Sequence, residues 1–334
     1  MGARSPATSR DRSACERRAI SPNAQKQYET YFATYEAWIM DNLGETVAED
    51  AEDFVVQMLK HLDFLLADGS PLGDAEKTVA AARNARPALA DEDMKRIRKA
   101  LAGYRKAKPP RSRPPLAPEI MAGIVNIDLA RGLRDEALQV LTQFSTYGRP
   151  SEVRDLRKGL GLIPPVRCQE APALGLHVVS FAPQEDDPEA FQSTTKTGVI
   201  DDCVILDNPV WLGPVLEDYS SHVAWGDQIF STTARENVEA FTDAGNLLGL
   251  PKLCQYQLRH GGASNDLLTK LRSEEGVRGR GRWKGYSSVR RYGKPAQVQR
   301  LFARLTEEVR AYCVYSLTNL AALVCGRIQP SLPA

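Results

Sequence analysis

The stretch Gly281-Arg-Trp-Lys-Gly-Tyr-Ser-Ser-Val-Arg-Arg-Tyr292 places an indole and a phenol nine residues apart among Arg282, Lys284, Arg290 and Arg291. It belongs to a basic zone: residues 251–310 hold fourteen Lys or Arg against five acids. Upstream the sign reverses, and residues 161–250 hold fourteen Asp or Glu against Arg167, Lys196 and Arg235. Further upstream, residues 95–113 hold nine basic residues and no acid. The net charge of +1 conceals this alternation. A charge run is by default a solvated face, but two basic zones flanking an acidic one also suit an anionic partner such as nucleic acid.

The chain of 334 residues is long enough for two domains, each with its own core. With 43% hydrophobic and 25% charged residues, it is neither wholly disordered nor collagen-like. The apolar run at 320–325 is far too short to cross a bilayer. The first twenty residues are polar and Arg-rich, so no secretory signal and no membrane association are expected. The six cysteines form no CxxC pair and have no His at ligand spacing, which predicts reduced thiols and no metal site.

Residues 1–20 read as a flexible basic tail. Ser21-Pro22 then supplies an N-cap and a proline at the first helical position. Tyr28, Phe32, Tyr35 and Ile39 follow at helical spacing, with Tyr31 and Trp38 widening the stripe. Further helices are predicted around Phe54–Leu62 and over 74–83 and 91–106. Residues 21–107 thus read as a small helical domain whose aromatic stripe is its core. Lys108-Pro-Pro-Arg-Ser-Arg-Pro-Pro115 cannot sustain a helix, and a linker is expected over 108–116. The second domain, 117–330, opens with helices at 118–130 and 135–144. Strands are expected at 176–181, 192–196 and 203–206, the last two joined by a glycine-containing turn at 197–201. Helices return at 232–247, at 264–272 and in one long segment from 296 to about 324. The fold class is therefore mainly α with a small antiparallel sheet.

Four separated segments of the second domain carry the chemistry. They are Thr146-Tyr-Gly-Arg-Pro-Ser-Glu152, Thr194-Thr-Lys-Thr-Gly198, Tyr256-Gln-Leu-Arg-His260 and the opening stretch, Gly281 to Tyr292. Taken singly, each residue has an ordinary structural reading. Arg149 would pair with Glu152, Lys196 would be an exposed hairpin lysine, and Trp283, Tyr292 and His260 would be core side chains. In this order the four segments resemble the catalytic domain of the tyrosine recombinases of the phage-integrase type. That family places a His or Trp nine residues before its nucleophilic Tyr, as Trp283 and Tyr292 stand here. The helical domain before the linker is similar in size and placement to the family's core-binding domain. The resemblance spans roughly residues 21–330, its N-terminal part by architecture alone.

The resemblance implies a transesterification at a DNA phosphodiester with Tyr292 as nucleophile and a 3′-phosphotyrosyl intermediate, which needs no ATP. Arg149 and Arg259 would clamp the non-bridging oxygens, as planar guanidinium groups do bidentately. Comparable donors at oxyanion sites are worth on the order of 3–4 kcal/mol each. They would stand in for a metal, so no cofactor is expected. Lys196 would protonate the leaving 5′ oxygen, and Trp283 would donate its indole N–H. Glu152 and His260 would support, the first by orienting a catalytic group. One position departs from the family pattern: Tyr256 stands where a His is usual, three residues before Arg259. A phenol with a reference pKa of about 10 is a poor proton shuttle at neutral pH, so slower chemistry is expected.

The resemblance further implies a clamp around double-stranded DNA. Arg105, Lys106, Lys108, Arg111 and Arg113 would cross its backbone, and Arg280, Arg282 and Lys284 would lie close to the scissile phosphate. A monomer in solution would assemble as a homodimer on one site and a tetramer on two. Localisation would follow DNA, in the nucleus of a eukaryote or otherwise the cytoplasm. Two other readings stay open: a DNA-binding protein that keeps the fold without recombining, and a type IB topoisomerase-like relaxing enzyme.

Overall fold

Ser21 accepts a hydrogen bond from the Ala24 amide at 3.3 Å, Pro22 takes the first helical position, and the helix α1 (Pro22–Leu43) follows. It stops at Gly44, whose left-handed φ of 66° suits the residue without a Cβ. The computed structural model describes residues 20–85, 90–109, 113–166, 175–181, 202–290, 292–293 and 295–333. The chain divides into two compact units, Met1–Ser112 and Arg113–Ala334.

The first unit holds α1, α2 (Ala51–Asp68), α3 (Leu72–Ala85) and α4 (Asp93–Ala107). Asp50 caps α2 by accepting from the Glu52 and Asp53 amides at 2.8 and 3.1 Å. The aromatic stripe behaves as a core: Tyr35 and Ile39 are buried against Phe54, Met58, Leu62 and Ile97, with Phe32 and Trp38 packed at the edge. Helix α4 buries only Met94, Ile97 and Tyr104. Its other face leaves Lys95, Arg96, Arg98, Lys99, Arg105 and Lys106 exposed.

The second unit is built around α5 (Pro118–Ala130), in which every residue from Ile120 to Asp128 is buried. A helix apolar nearly all round needs neighbours on all sides. They are α6 (Arg134–Thr146), α9 (Ala234–Leu247), α10 (Tyr256–Leu268), α14 (Glu307–Thr318) and α15 (Leu320–Val324). Between them run α7 (Pro150–Arg154), β1 (Leu162–Ile163), β2 (Val178–Phe181), β3 (Asp202–Ile205), α8 (Leu212–Tyr219), α11 (Glu274–Arg280), α12 (Tyr286–Val289) and α13 (Pro295–Phe302). The sheet is antiparallel in the order β1-β2-β3, pairing Leu162 with Val179 and Phe181 with Asp202. The expected strand 192–196 and turn 197–201 lie outside the described residues.

Two helical expectations are corrected. Helix α10 begins eight residues earlier than expected, at Tyr256, and runs through Gly261-Gly262. These glycines do not break the helix. They admit α6, because a Cβ on Gly262 would lie 2.0 Å from the Phe144 carbonyl oxygen. The long helix expected over 296–324 is three helices, α13 to α15. Thr306 caps α14 by accepting from the Val309 amide at 3.3 Å, so the chain restarts there. Beyond α15 the chain folds back, with the Ser331 amide donating to Asn126 Oδ1 at 3.0 Å and the Tyr312 hydroxyl donating to the Ser331 carbonyl at 2.6 Å.

Gly262→Ala is expected to lower the stability of the second unit by about 1–3 kcal/mol or more, since backbone meets the new methyl. Gly103→Ala, inside α4 with nothing within 4 Å of its Cβ position, is the control and should gain about 0.5–1 kcal/mol. Thermal melting of the two variants checks the pair.

A second expectation concerns acid. His61 is buried against the rings of Tyr35 and Trp38, and its Nδ1 has no hydrogen-bond partner. Burial lowers its pKa to about 4. The folded state then binds fewer protons than the unfolded one between the ordinary value of about 6.5 and about 4, so stability falls as pH drops through that window. Melting temperatures at pH 5 and pH 7 should differ less in His61→Phe than in the parent.

Candidate active site

Helix α6 ends at Thr146, and Tyr147 takes a left-handed φ of 52°, which is costly for a non-glycine residue. This bend, with Gly148, turns the chain so that Arg149 becomes the N-cap of α7 and Pro150 its first residue. The Arg149 amide donates to Glu152 Oε2 at 2.7 Å, and Arg149 Nη1 donates to Glu152 Oε1. Arg149 thus precedes the helix, and Glu152 reaches it as a cap partner. Burial opposes the charge on Arg149, but Glu152 and a hydrogen bond to the Tyr256 hydroxyl oxygen outweigh it and raise its pKa.

Arg259, on α10, is 1% exposed. Its Nη1 donates to the Tyr147 carbonyl and its Nη2 to the Gly281 carbonyl at 2.5 Å. One guanidinium therefore ties the bend after α6 to the turn after α11. Burial first, and the neighbouring Arg282 charge second, lower its pKa to about 10, so it remains a cation at neutral pH. Its Cζ lies 5.1 Å from the Trp283 ring centre. A Cβ on Gly281 would fall 2.4 Å from the Trp283 ring, so glycine lets the indole fold back over the turn.

The aromatic side chains form a continuous stack. Tyr147 lies parallel to Trp283 at 6.2 Å, Trp283 stacks on Tyr292 at 4.4 Å, Tyr292 meets His260 at 4.7 Å, and His260 meets Tyr256 edge-on at 5.5 Å. The Ser264 hydroxyl donates to the Tyr292 carbonyl, fixing the loop to α10. Tyr292 is 7% exposed. Tyr256 is 41% exposed and lines a cleft of about 370 Å³ together with Arg149, Ser151, Arg154, Asn237 and Gln255. The structure therefore brings Arg149, Glu152, Tyr256, Arg259, His260, Trp283 and Tyr292 into one neighbourhood. Lys196 lies outside the described residues.

The basic residues divide. The sequence places Arg280 close to the scissile phosphate as a DNA contact, and in the structure its side chain is buried. It donates to the Ser145 carbonyl at 2.9 and 2.8 Å and to the Ile205 carbonyl at 3.0 Å, and it pairs with Asp207 at 3.1 Å. Those partners occupy its donors, so it braces the bend. Arg282 is also buried, and its Nη2 donates to Glu152 Oε2 at 2.6 Å. Lys284, Lys106 and Arg113 are exposed, Arg105 is exposed and pairs with Glu76 at 2.5 Å, and Lys108 is half-buried. Arg111 lies outside the described residues.

Sequence reasoning misses Tyr147 and Asp266. The Tyr147 hydroxyl donates to Asp266 Oδ2, which also accepts from Arg272 Nε at 2.9 Å. Asp266 sits seven residues after Arg259, about two helical turns along α10, which is the one signal the sequence offers. Among the described residues, no group of three or more His, Cys, Asp and Glu is placed to hold a metal ion, and no helix is long and apolar enough to cross a membrane.

No family model and no curated protein matches the chain. Among the solved structures similar to it are two recombinases. One is a XerA recombinase, 13% identical with a TM-score of 0.40, the match covering 87% of this chain and 94% of that one. The other is a XerH site-specific recombinase bound to its difH substrate in a pre-cleavage complex, 13% identical with a TM-score of 0.49 over 83% of this chain and 78% of that one. Likeness at this level bears on no individual residue of the site.

Burial alone would raise the Glu152 carboxyl, but the Arg282 charge, the Arg149 amide and the Arg149 charge hold it below the usual carboxylate range. Its contribution is therefore present above the ordinary value of about 4.3 and lost as pH falls through its lowered one. Glu152→Gln leaves two partly buried guanidinium groups without their counter-charge and should cost on the order of 3 kcal/mol. The variant should also show less acid sensitivity than the parent in urea titrations at pH 4 and pH 7.

Proposed function

We propose that the chain is a site-specific DNA strand-transfer enzyme of the tyrosine recombinase type. The observation that carries this reading is the convergence of Arg149, Arg259 and Tyr292, from three separate segments, on one buried stack. Two guanidinium groups and a phenol at close quarters suit attack on a phosphodiester better than acyl or glycosyl chemistry. The Tyr292 oxygen attacks phosphorus while its hydroxyl proton passes to His260, the bond from phosphorus to the 5′ oxygen breaks, and that oxygen takes a proton from Lys196. The phosphotyrosyl link retains the energy of the broken diester. Attack by another 5′-hydroxyl, which returns its proton to Lys196, releases Tyr292, whose oxygen takes its proton back from His260, and rejoins the strand without ATP or a metal.

Arg149 and Arg259 neutralise the charge that develops on the non-bridging oxygens, and such preorganised donors commonly lower the barrier more than any other group in a site of this kind. Trp283 offers its indole N–H to the same oxygens and holds Tyr292 by stacking. Tyr292 is folded into the stack, so its oxygen must swing outward when DNA binds. His260, between Tyr256 and Tyr292, is placed to orient both rings. The exposed basic face of α4 supplies contacts to the DNA backbone that are sequence-independent and salt-sensitive. On DNA the chain acts as a dimer on each site and a tetramer on two. The binding-only reading draws on one observation, the burial of Tyr292 in a site where Tyr256 stands in place of a better proton shuttle.

The test is covalent trapping. Purified protein is incubated with nicked duplexes carrying candidate flanking sequence and quenched in detergent. A DNA-linked band that is absent in Tyr292→Phe and reduced at least 100-fold in Arg259→Ala is expected. Salt-sensitive binding to the same duplex with no band would overturn the catalytic reading in favour of binding alone.

A further inference from the structure

Arg282 is unfavourably placed in two ways at once. Its backbone takes a φ of 55°, uncommon for a residue with a side chain, at the turn where the Trp283 amide returns to the Arg278 carbonyl at 3.1 Å. Its side chain is 8% exposed, and among the described residues its Nε and Nη1 have no hydrogen-bond partner. Buried donors are almost always paired, and an unpaired one in a charged group calls for an explanation. Among the described residues, Nη2 alone makes a hydrogen bond, to Glu152. Arg280, two residues earlier and equally basic, directs its donors to carbonyls and a carboxylate. The contrast shows that the surroundings are able to satisfy an arginine, and that Arg282 keeps two buried donors without acceptors.

Its location is as telling. Glu152 Oε1 holds Arg149 while Oε2 holds Arg282, so the two guanidinium groups bracket a single carboxylate. The Arg282 charge is also felt by Arg259, whose pKa it lowers after burial. The Arg282 Cζ lies 4.0 Å from the ring centre of Phe181, the last residue of β2, and Asp202, the first of β3, acts on its charge. The chain between those two residues contains Lys196. Arg282 therefore stands between Glu152 and the base of the segment that carries the proposed acid.

We infer that Arg282 is a third phosphate-binding guanidinium, catalytic with Arg149 and Arg259, whose unpaired Nε and Nη1, sealed from water in the empty site, take an oxygen of the scissile phosphate when DNA binding opens it. Glu152 holds it through Nη2 while the site is empty. A phosphate that brings its own negative charge completes the set of partners, relieving a buried cation that is short of acceptors. The expectation from sequence sets Arg282 close to the scissile phosphate as a DNA contact, and the inference makes it a direct ligand of that phosphate. This inference rests on the proposed reading of the site as one for a DNA phosphodiester.

The test uses Arg282→Gly, whose residue is at ease at positive φ, and Arg282→Lys, which keeps a charge without the fork. Covalent complex formation is timed on the duplex that traps the parent and on the same duplex with a methylphosphonate at the scissile position, where a methyl replaces one charged oxygen. Arg282→Gly should be about 100-fold slower than the parent on the phosphodiester. On the methylphosphonate its deficit should shrink to within a few-fold, and Arg282→Lys should fall between. A parental rate in Arg282→Gly, or an equal deficit on both substrates, overturns the inference. If the parent forms no covalent complex, the catalytic reading fails separately, and inorganic phosphate decides Arg282. A melting-temperature rise in phosphate over chloride that at least halves in Arg282→Gly supports the anion site. An equal rise, or none in the parent, overturns it.

Discussion

A cation sealed from water must find acceptors nearby, and Arg259 finds them on two pieces of backbone that the chain makes far apart. The Tyr147 carbonyl follows α6, and the Gly281 carbonyl follows α11. Neither segment is regular structure, so neither would hold its shape alone. A buried guanidinium donating to both costs a great deal if either moves, because an unpaired charge would be left in a medium of low dielectric. The same bond that secures the fold of the bend also points Arg149 toward Glu152 and sets Trp283 over Arg259. Architecture and chemistry share one side chain, and its position depends on Gly261 and Gly262 letting α10 lie directly on α6.

The aromatic stack extends this arrangement. Tyr147, Trp283, Tyr292, His260 and Tyr256 come from three segments, yet each ring touches the next. Stacked rings hold position by area and quadrupole rather than by directional hydrogen bonds. Such a set tolerates sliding, which a side chain that must change place during a reaction requires. Beneath it the directional contacts are all to charged groups: Tyr147 to Asp266, Asp266 to Arg272, Arg272 to Asp207 at 2.5 Å. A rigid ionic floor thus carries a softer aromatic layer.

Much of this is legible in the sequence, for reasons that differ by element. The helix Pro118–Ala130 is readable because a proline opens it and a run of apolar residues, Ile120 to Val125, follows. The stripe from Tyr35 to Ile39 is readable because its spacing matches one helical face. The long C-terminal helix misleads because apolar periodicity persists across Leu305-Thr306, while the break depends on a single threonine hydroxyl outcompeting helix continuation. The start of α10 misleads because Gly261-Gly262 resembles a breaker until the neighbouring helix is known. Arg280 and Arg282 are two residues apart and look alike in sequence. Whether each meets water, a carbonyl or a carboxylate is decided by α6 and α7, more than a hundred residues away. The site's composition is therefore visible in the sequence, and the division of labour among its arginines is not.

The length of chain after α15 has a temporal meaning. Asn126, in the middle of α5, is bonded to Ser316 and Ser331, which follow it by 190 and 205 positions. A ribosome emits the central helix of the second unit long before it emits the residues that cover it. For that interval α5, apolar on nearly every side, has no complete shelter, and it must be held by transient contacts or by a chaperone. The first unit has no such wait, since its four helices close on one another within residues 22–107. Newly made chains therefore carry a finished N-terminal unit well before the arginines and tyrosines of the second have been drawn together.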